Sequence, residues 1–266
     1  MLPWVIAKSS RPILVGPWTS EMGFEVLYWL PYLDYLRHAY KITQDRLYVL
    51  TRGGAGAWYG AGHAVELFDY VPPADVRLVA HRAHREARSI KQWTMTSWER
   101  RLLALVAERY GLRRYHVWHP SRLYRALEPW WGSMTVGMSE VLKCLRWNDI
   151  PVPPVPVGVA LPERFAAVRF YARATWPLRE ELLDWTQALI RQLAQTMPVV
   201  ILRSSAYVDD HADFPPPTGD NITVIEASPW RENLAVQSAI LKRASLFVGT
   251  WGGVAQLAVR LKGPTI

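Results

Sequence analysis

The chain has 266 residues, half of them hydrophobic and 20% charged, with a mean hydropathy of −0.04, which excludes a disordered chain and allows a packed core. The single cysteine, Cys144, excludes an intramolecular disulfide and an all-cysteine metal site, and fits a reducing cytoplasm. A net charge of +8 and a pI near 9.7 favour an anionic partner, but the arginines are interspersed with acids and carry no RNA- or DNA-binding motif, so nucleic acid is not expected.

In chain order, the opening "MLPWVIAKSSRP" has neither the apolar length nor the small-residue cleavage pattern of a signal peptide, and no apolar run approaches the ~18 residues of a membrane span. "PILVG" reads as a buried strand. "GFEVLYWLPYLDYLRHA" reads as a helix, with Phe24, Leu27 and Tyr28 at helical spacing and Pro31 as a kink. "RLYVLT" is a second strand that enters the glycine-rich "RGGAGAWYGAGH", and "DVRLVAH" is a third. "TSWERRLLALVAERYGL" is a helix capped by Thr96 or Ser97 and closed at Gly111, and "YHVWHP" a fourth strand. Five prolines make Asn148 to Pro162 extended, an interdomain joint or a stiff surface segment.

The alternation then resumes. "FAAVRFY" is a strand and "LREELLDWTQALIRQLAQTM" a helix with Leu182, Leu189, Ile190 and Leu193 on one face. "PVVILRS" is a strand, followed by a polar loop to about Asp220 and the strand "ITVIE". "SPWRENLAVQSAILKRA" is a helix opened by Ser228 with Pro229 in its first position. "SLFVGT" is a strand and "GGVAQLAVRL" a helix. Strands alternating with helices predict an α/β chain of two doubly wound, Rossmann-like parallel domains, residues 1–150 and 151–266.

Ligands of such sheets bind beyond the carboxyl ends of the strands. That rule selects the turns Thr19 to Glu25, Arg169 to Arg173, Arg203 to Ser205, Glu226 to Ser228 and Thr250 to Gly253. In "VGTWGG", Gly252 and Gly253 at a helix N-terminus suit an anion, with Thr250 offering a hydroxyl; the alternative is a tight turn that needs glycine for backbone reasons alone. It is neither G-x-G-x-x-G nor a P-loop. Arg169, in an apolar strand, reads as one half of a diphosphate clamp with Arg173, against a structural ion pair. At the front turn Glu25 can simply stabilise a helix start, whereas Glu21, before Gly23, is placed to take the proton of an attacking hydroxyl. The aromatic cluster in "YHVWHPSRLYRALEPWWGSM" reads as core with some exposed rings, or as an interfacial or sugar-stacking surface. Cys144 reads as a small buried hydrophobe.

"GPWTSEMGFEVLYWLPYL" together with "LFVGTWGGVAQLAVRLKGPTI" resembles the bacterial GT-B glycosyltransferases, in particular their fucosyltransferase-like and heptosyltransferase-like branch. The resemblance implies two Rossmann-like domains facing a cleft, an acceptor in the first and a nucleotide-sugar donor in the second. It implies inverting transfer to a hydroxyl acceptor, without a metal or other cofactor, in glycan or cell-envelope polysaccharide synthesis. Under it Glu21 and Glu25 match an acidic acceptor loop with Ser20 and Gly23, either glutamate serving as the base, and Arg169 joins them as a catalytic residue that stabilises the leaving diphosphate. Thr250, Gly252 and Gly253 match the donor-phosphate turn, with Gln256 one turn on. Arg169 falls on an arginine position of the fucosyltransferase branch, and Arg173, Arg203 and Glu226 complete the expected donor side. The sequence lacks that branch's His-x-Arg-Arg-x-Asp pattern. It stops at "KGPTI" where the family continues, so either a fragment with an incomplete donor domain or a donor site built differently is expected. A cytoplasmic protein with peripheral contact to an anionic membrane is the implied setting. Two alternatives are a non-catalytic nucleotide- or glycan-binding module and a nucleotide-sugar epimerase, the latter needing acids that begin at Glu226.

Overall fold

The computed structural model describes residues 3–76, 78, 92–156, 159–173, 176–204, 211–225, 228–261 and 265. The chain divides into two compact units, Met1–Pro151 and Val152–Ile266.

In the first unit, strands β1 (Ile13–Val15), β2 (Leu47–Thr51), β3 (His63–Glu66) and β4 (His116–Trp118) form one sheet in the order β3-β2-β1-β4. All pairs are parallel, with Ile13 opposite both Leu47 and His116. Ile13, Leu14 and Val15 are fully buried, as a central parallel strand covered on both faces must be. Helix Ser97–Arg109 starts with a capping box: Thr96 accepts from the Glu99 amide, and Glu99 reaches back to the Thr96 amide. Gly111 closes it at φ +64°.

The helix after β1 runs from Met22 to Ala39, but not uniformly. Met22–Phe24 is α-helical, Glu25–Trp29 is π-helical, and Leu30–Ala39 returns to α. Pro31 supplies the physical cause, since it has no N–H to offer the Leu27 carbonyl and its ring crowds that oxygen. The chain widens instead: the Leu30 amide bonds the Glu25 carbonyl, and the Trp147 indole donates to the Leu27 carbonyl at 3.2 Å. The kink expected from Pro31 is this wide turn.

The third strand lies elsewhere than expected. It is β3, inside the stretch after the glycine-rich loop, whereas residues 73–76 and 78 of the "DVRLVAH" region are helical. The tandem Pro72-Pro73 explains it, because the Pro72 carbonyl accepts from the amides of Asp75 and Val76 and begins a helical turn. Residues 77 and 79–81 of that expected strand lie outside the described residues.

In the second unit, β5 (Ala166–Arg169), β7 (Val199–Leu202), β9 (Ile222–Ile225) and β10 (Leu246–Gly249) form a parallel sheet ordered β10-β5-β7-β9. Helix Glu180–Ala194 packs on it through Ile190, Leu182, Leu189 and Leu193. The stretch read as plain polar loop holds β8 (Ala212–Asp213), which pairs antiparallel with β6 (Tyr171–Ala172), at the end of the strand read as "FAAVRFY". The helix expected from Pro229 begins later, at Asn233, and runs to Arg243. A single turn closed by the Glu232 amide on the Pro229 carbonyl precedes it, and the buried Asn233 side chain, which donates to Ser204 Oγ at 3.3 Å, fixes its first turn.

Counted within its own unit, each sheet has the order third-second-first-fourth. The chain direction across the sheet therefore reverses between β1 and β4 in the first unit and between β5 and β10 in the second. Those two switch points are where open α/β sheets hold ligands.

Candidate functional site

At the first switch point, the segment Pro17–Glu21 leaves β1 and enters the helix beginning at Met22. Side chains from several elements hold its backbone. Arg52, at the end of β2, donates to the Ser20 carbonyl at 2.8 Å. Gln92 donates to the Pro17 carbonyl at 3.0 Å and accepts from the Thr19 amide at 3.1 Å. Tyr124 donates to Ser20 Oγ at 3.1 Å, and the Trp18 indole donates to the Glu21 carbonyl at 3.1 Å.

The two glutamates of this turn are separated. Glu21 is the exposed residue preceding the helix, in extended conformation at φ −58° and ψ 133°. Glu25 is fully buried; it accepts from Tyr59 Oη at 2.5 Å and faces Arg52 at 3.4 Å. Burial pushes the Glu25 carboxyl above its ordinary value, against the opposing pull of Arg52 and Tyr59. Glu25 thus holds Arg52, which holds Ser20, and it is Glu21 that lies open to solvent. Ser20 is itself buried, and Gly23 is buried in the first helical turn.

Beside the turn, past the end of β4, His119 Nε2 lies 3.1 Å from Glu99 Oε1, while His119 Nδ1 accepts from the Ser121 amide, which places the ring proton on Nε2. Burial alone would raise the Glu99 carboxyl, but His119, the Thr96 amide and Gln92 outweigh it and hold it below its ordinary value. Arg52, Gln92, Glu99 and His119 went unread in the sequence. Arg52 and His119 each follow a strand directly, so the carboxyl-end rule would have selected them.

The second switch point is built differently. Arg169 is buried, its Nε donating to Asp213 Oδ1 at 3.0 Å and its Nη1 to Gln237 Oε1 at 3.2 Å, with its guanidinium over the Tyr171 ring. This is the structural ion pair that was set against the diphosphate clamp. The second Asp213 oxygen accepts from the Ser204 amide at 2.7 Å. Arg173 is exposed and bridges to Trp176 through its backbone. Arg203 is half-buried, and its carbonyl accepts from Gln237 at 3.2 Å.

Thr250 is buried, its hydroxyl bonded to the amide and carbonyl of Tyr171 at 3.2 and 3.3 Å. Gly252 precedes helix Gly253–Arg260, and a Cβ there would collide with the Tyr171 hydroxyl. That close approach is why glycine stands at Gly252, whose φ of 170° any residue adopts. Gln256 lies in the first turn, its amide bonded to the Gly252 carbonyl. Glu226 and Ser205 lie outside the described residues. Asp213 was missed because it lies 44 residues from its partner, on a strand with no pattern to announce it.

Among the described residues, no group of three or more His, Cys, Asp or Glu converges to hold a metal, and no helix is long and apolar enough to cross a membrane. No protein-family model matches the sequence, and no curated protein does. Among solved structures, the chain is similar to the iron-containing dodecameric glycosyltransferase TibC from enterotoxigenic E. coli H10407, at 14% identity and a TM-score of 0.47 over 96% of this chain. It spans only 57% of TibC. It is also similar to the E. coli heptosyltransferase WaaC with ADP-2-deoxy-2-fluoro heptose, at 18% identity and a TM-score of 0.43 over 96% of this chain and 87% of WaaC. A glycosyl transferase of family 9 from Veillonella parvula DSM 2008 gives 11% and 0.46 over 97% of this chain and 80% of that one. None of these likenesses reaches a TM-score of 0.5, and the functional reading rests on the residues of this chain.

Proposed function

We propose that the chain is a glycosyltransferase of the GT-B type that moves a sugar from a nucleotide-diphosphate donor to a hydroxyl acceptor, with inversion and without a metal. One observation carries the reading. Two parallel units of identical strand order present, at their switch points, an exposed carboxylate in one and a glycine-opened helix N-terminus in the other.

The chemistry divides accordingly. Glu21 takes the proton of the acceptor hydroxyl as its oxygen bonds to the anomeric carbon. The bond from that carbon to the β-phosphate oxygen breaks, and the electron pair leaves with the nucleoside diphosphate. The amides opening helix Gly253–Arg260, with Arg173, stabilise the charge growing on that oxygen. Arg169 shapes this edge from within, through Asp213 and Gln237. Peripheral contact with an anionic membrane fits the basic charge and belongs to the same proposal.

The test is a transfer assay with GDP-, UDP-, ADP- and dTDP-sugars in EDTA, reading the anomeric configuration of the product by NMR. An inverted product formed in EDTA supports the proposal; a retained one overturns it, as does activity that returns only with added metal. A second reading is a nucleotide- or glycan-binding module without transfer, favoured by the commitment of Arg169 to Asp213 and Gln237. Nucleotide binding in the absence of any transfer would select it.

A further inference from the structure

The helix that Glu21 precedes carries a second feature that acid–base chemistry does not use. Phe24 and Tyr28 lie in the first turns of the helix that follows Glu21. Their rings pack at 5.3 Å, and Trp131, from helix Ser121–Trp131, meets them edge-on at 5.1 and 6.1 Å. Trp130 extends the group, 5.7 Å from Trp131 and 6.4 Å from Tyr28. All four rings are partly exposed. Beneath them Tyr124 is fully buried, 6.1 Å from Trp131 and bonded through its hydroxyl to Ser20 Oγ. The Trp18 ring stacks on Tyr124 at 5.9 Å and its indole donates to the Glu21 carbonyl at 3.1 Å, which ties the Glu21 backbone to the same cluster.

Four rings in mutual contact beside an exposed acid make a surface with two kinds of recognition. An aromatic face is electron-rich and attracts weakly positive C–H groups, and it offers apolar area at little entropic cost. A carboxylate accepts hydrogen bonds from hydroxyls. One small-molecule class presents both partners: a pyranose ring has an apolar C–H face and a rim of hydroxyls. An anionic lipid surface also takes aromatic rings, but here it would meet the carboxylates of Glu21 and of the partly exposed Glu128, on the same helix as the tryptophans. Like charge opposes that occupant.

We propose that Phe24, Tyr28, Trp130 and Trp131 form a saccharide-stacking platform that seats the acceptor sugar with one hydroxyl directed at Glu21. The proposal deepens the reading of Glu21 as the acceptor-side base and rests on it. It narrows the acceptor from any hydroxyl compound to a saccharide.

Saturation-transfer difference NMR on the full chain, without donor, tests it directly. The probes are maltose, cellobiose and lactose at millimolar concentration, with phosphatidylglycerol vesicles in a parallel sedimentation assay. The expected result is saturation of sugar C–H protons from the aromatic protons by at least one disaccharide. The signal should fall at least fivefold in Trp131→Ala and in Tyr28→Leu and persist in Trp131→Phe. Circular dichroism checks that the variants fold, and Tyr28→Leu, partly exposed and helix-compatible, serves if Trp131→Ala does not. Absence of transfer to all three sugars overturns the platform, as does a signal unchanged in Tyr28→Leu. Vesicle binding that the same variants abolish overturns it in favour of a membrane face. Sugar binding without turnover would count against the proposed reaction and leave the platform standing; turnover with the acceptor KM unmoved by Tyr28→Leu would do the reverse.

Discussion

The two switch points share a strand order and differ in how their turns are made. In the first unit, Pro17–Glu21 is held by side chains that arrive from elsewhere, Arg52, Gln92 and Tyr124, and the segment ends on an exposed carboxylate. In the second, Thr250–Gly253 is held by close approach: the Thr250 amide bonds the Arg169 carbonyl at 3.1 Å, and the Tyr171 hydroxyl lies against Gly252. One turn is defined by what surrounds it, the other by the side chain it lacks. The first arrangement holds the backbone that carries a single exposed acid, as the proposed proton abstraction would require. The second clears backbone amides, as the proposed binding of an extended anion would require.

The largest effect should follow from removing the acid. Glu21→Gln keeps the size of the exposed side chain and removes its charge and basicity, and circular dichroism checks that the variant folds. Transfer should fall by about 10²–10⁴-fold, the usual contribution of a general base. Steady-state kinetics with saturating donor would read it, and a kcat within threefold of the parent would remove Glu21 from the chemistry. Glu25→Gln is the companion; acting through Arg52, it should change rate less and stability more.

Breaking the second unit's ion pair comes next. Asp213→Ala strands the buried Arg169 guanidinium and deprives the Ser204 amide of its acceptor. Losing one partner of a buried pair costs about 3–5 kcal/mol, so urea unfolding of the second unit should move by that much. Arg169→Met with Asp213→Ala should recover most of it, since the stranded charge is gone. A single-variant cost under about 1 kcal/mol would mean that Arg169 does not depend on Asp213 and is held for another purpose.

Gly252→Ala tests the opposite style of construction. The new methyl meets the Tyr171 hydroxyl, and overpacking of this kind costs about 1–3 kcal/mol. Tyr171→Phe removes the oxygen and should restore part of the loss in a double-variant cycle of thermal midpoints. An additive cycle would refute contact between Tyr171 and the turn as the reason for the glycine.

These variants also mark what the sequence made legible. The second sheet and three strands of the first were readable because buried parallel strands are short apolar runs, whereas β3, only partly buried, was not. Thr96 was legible as a helix cap, but not the Glu99 that completes its capping box. The Gly252-Gly253 turn and the acidic turn were legible as local motifs. Their partners were not. Asp213 and Gln92 lie 44 and 73 residues from the groups they bind, on segments without hydrophobic period, so only the fold brings them together. The split between Glu21 and Glu25 was hidden for a related reason. Four residues apart, they would share a face of a regular helix, but Glu21 precedes the helix and Glu25 opens the π-helical stretch that Pro31 imposes.

The smallest effect sharpens the comparison within the first unit, where two buried carboxyls are shifted in opposite directions. Glu25 is raised, chiefly by burial, so the folded chain keeps its proton at a pH where the unfolded chain has lost it. Its contribution to stability is present at low pH and is lost as pH rises from the ordinary 4.5 through the raised folded value. Glu99 is lowered, so its contribution is present above 4.5 and is lost as pH falls through the depressed folded value. Denaturant titrations between pH 3 and 8 should therefore flatten on opposite sides of about 4.5. Glu25→Gln removes the decline above that point, and Glu99→Gln removes the rise below it. Equal flattening on the acid side by both variants would mean that Arg52 outweighs burial at Glu25, making that pair an ion pair across the whole range.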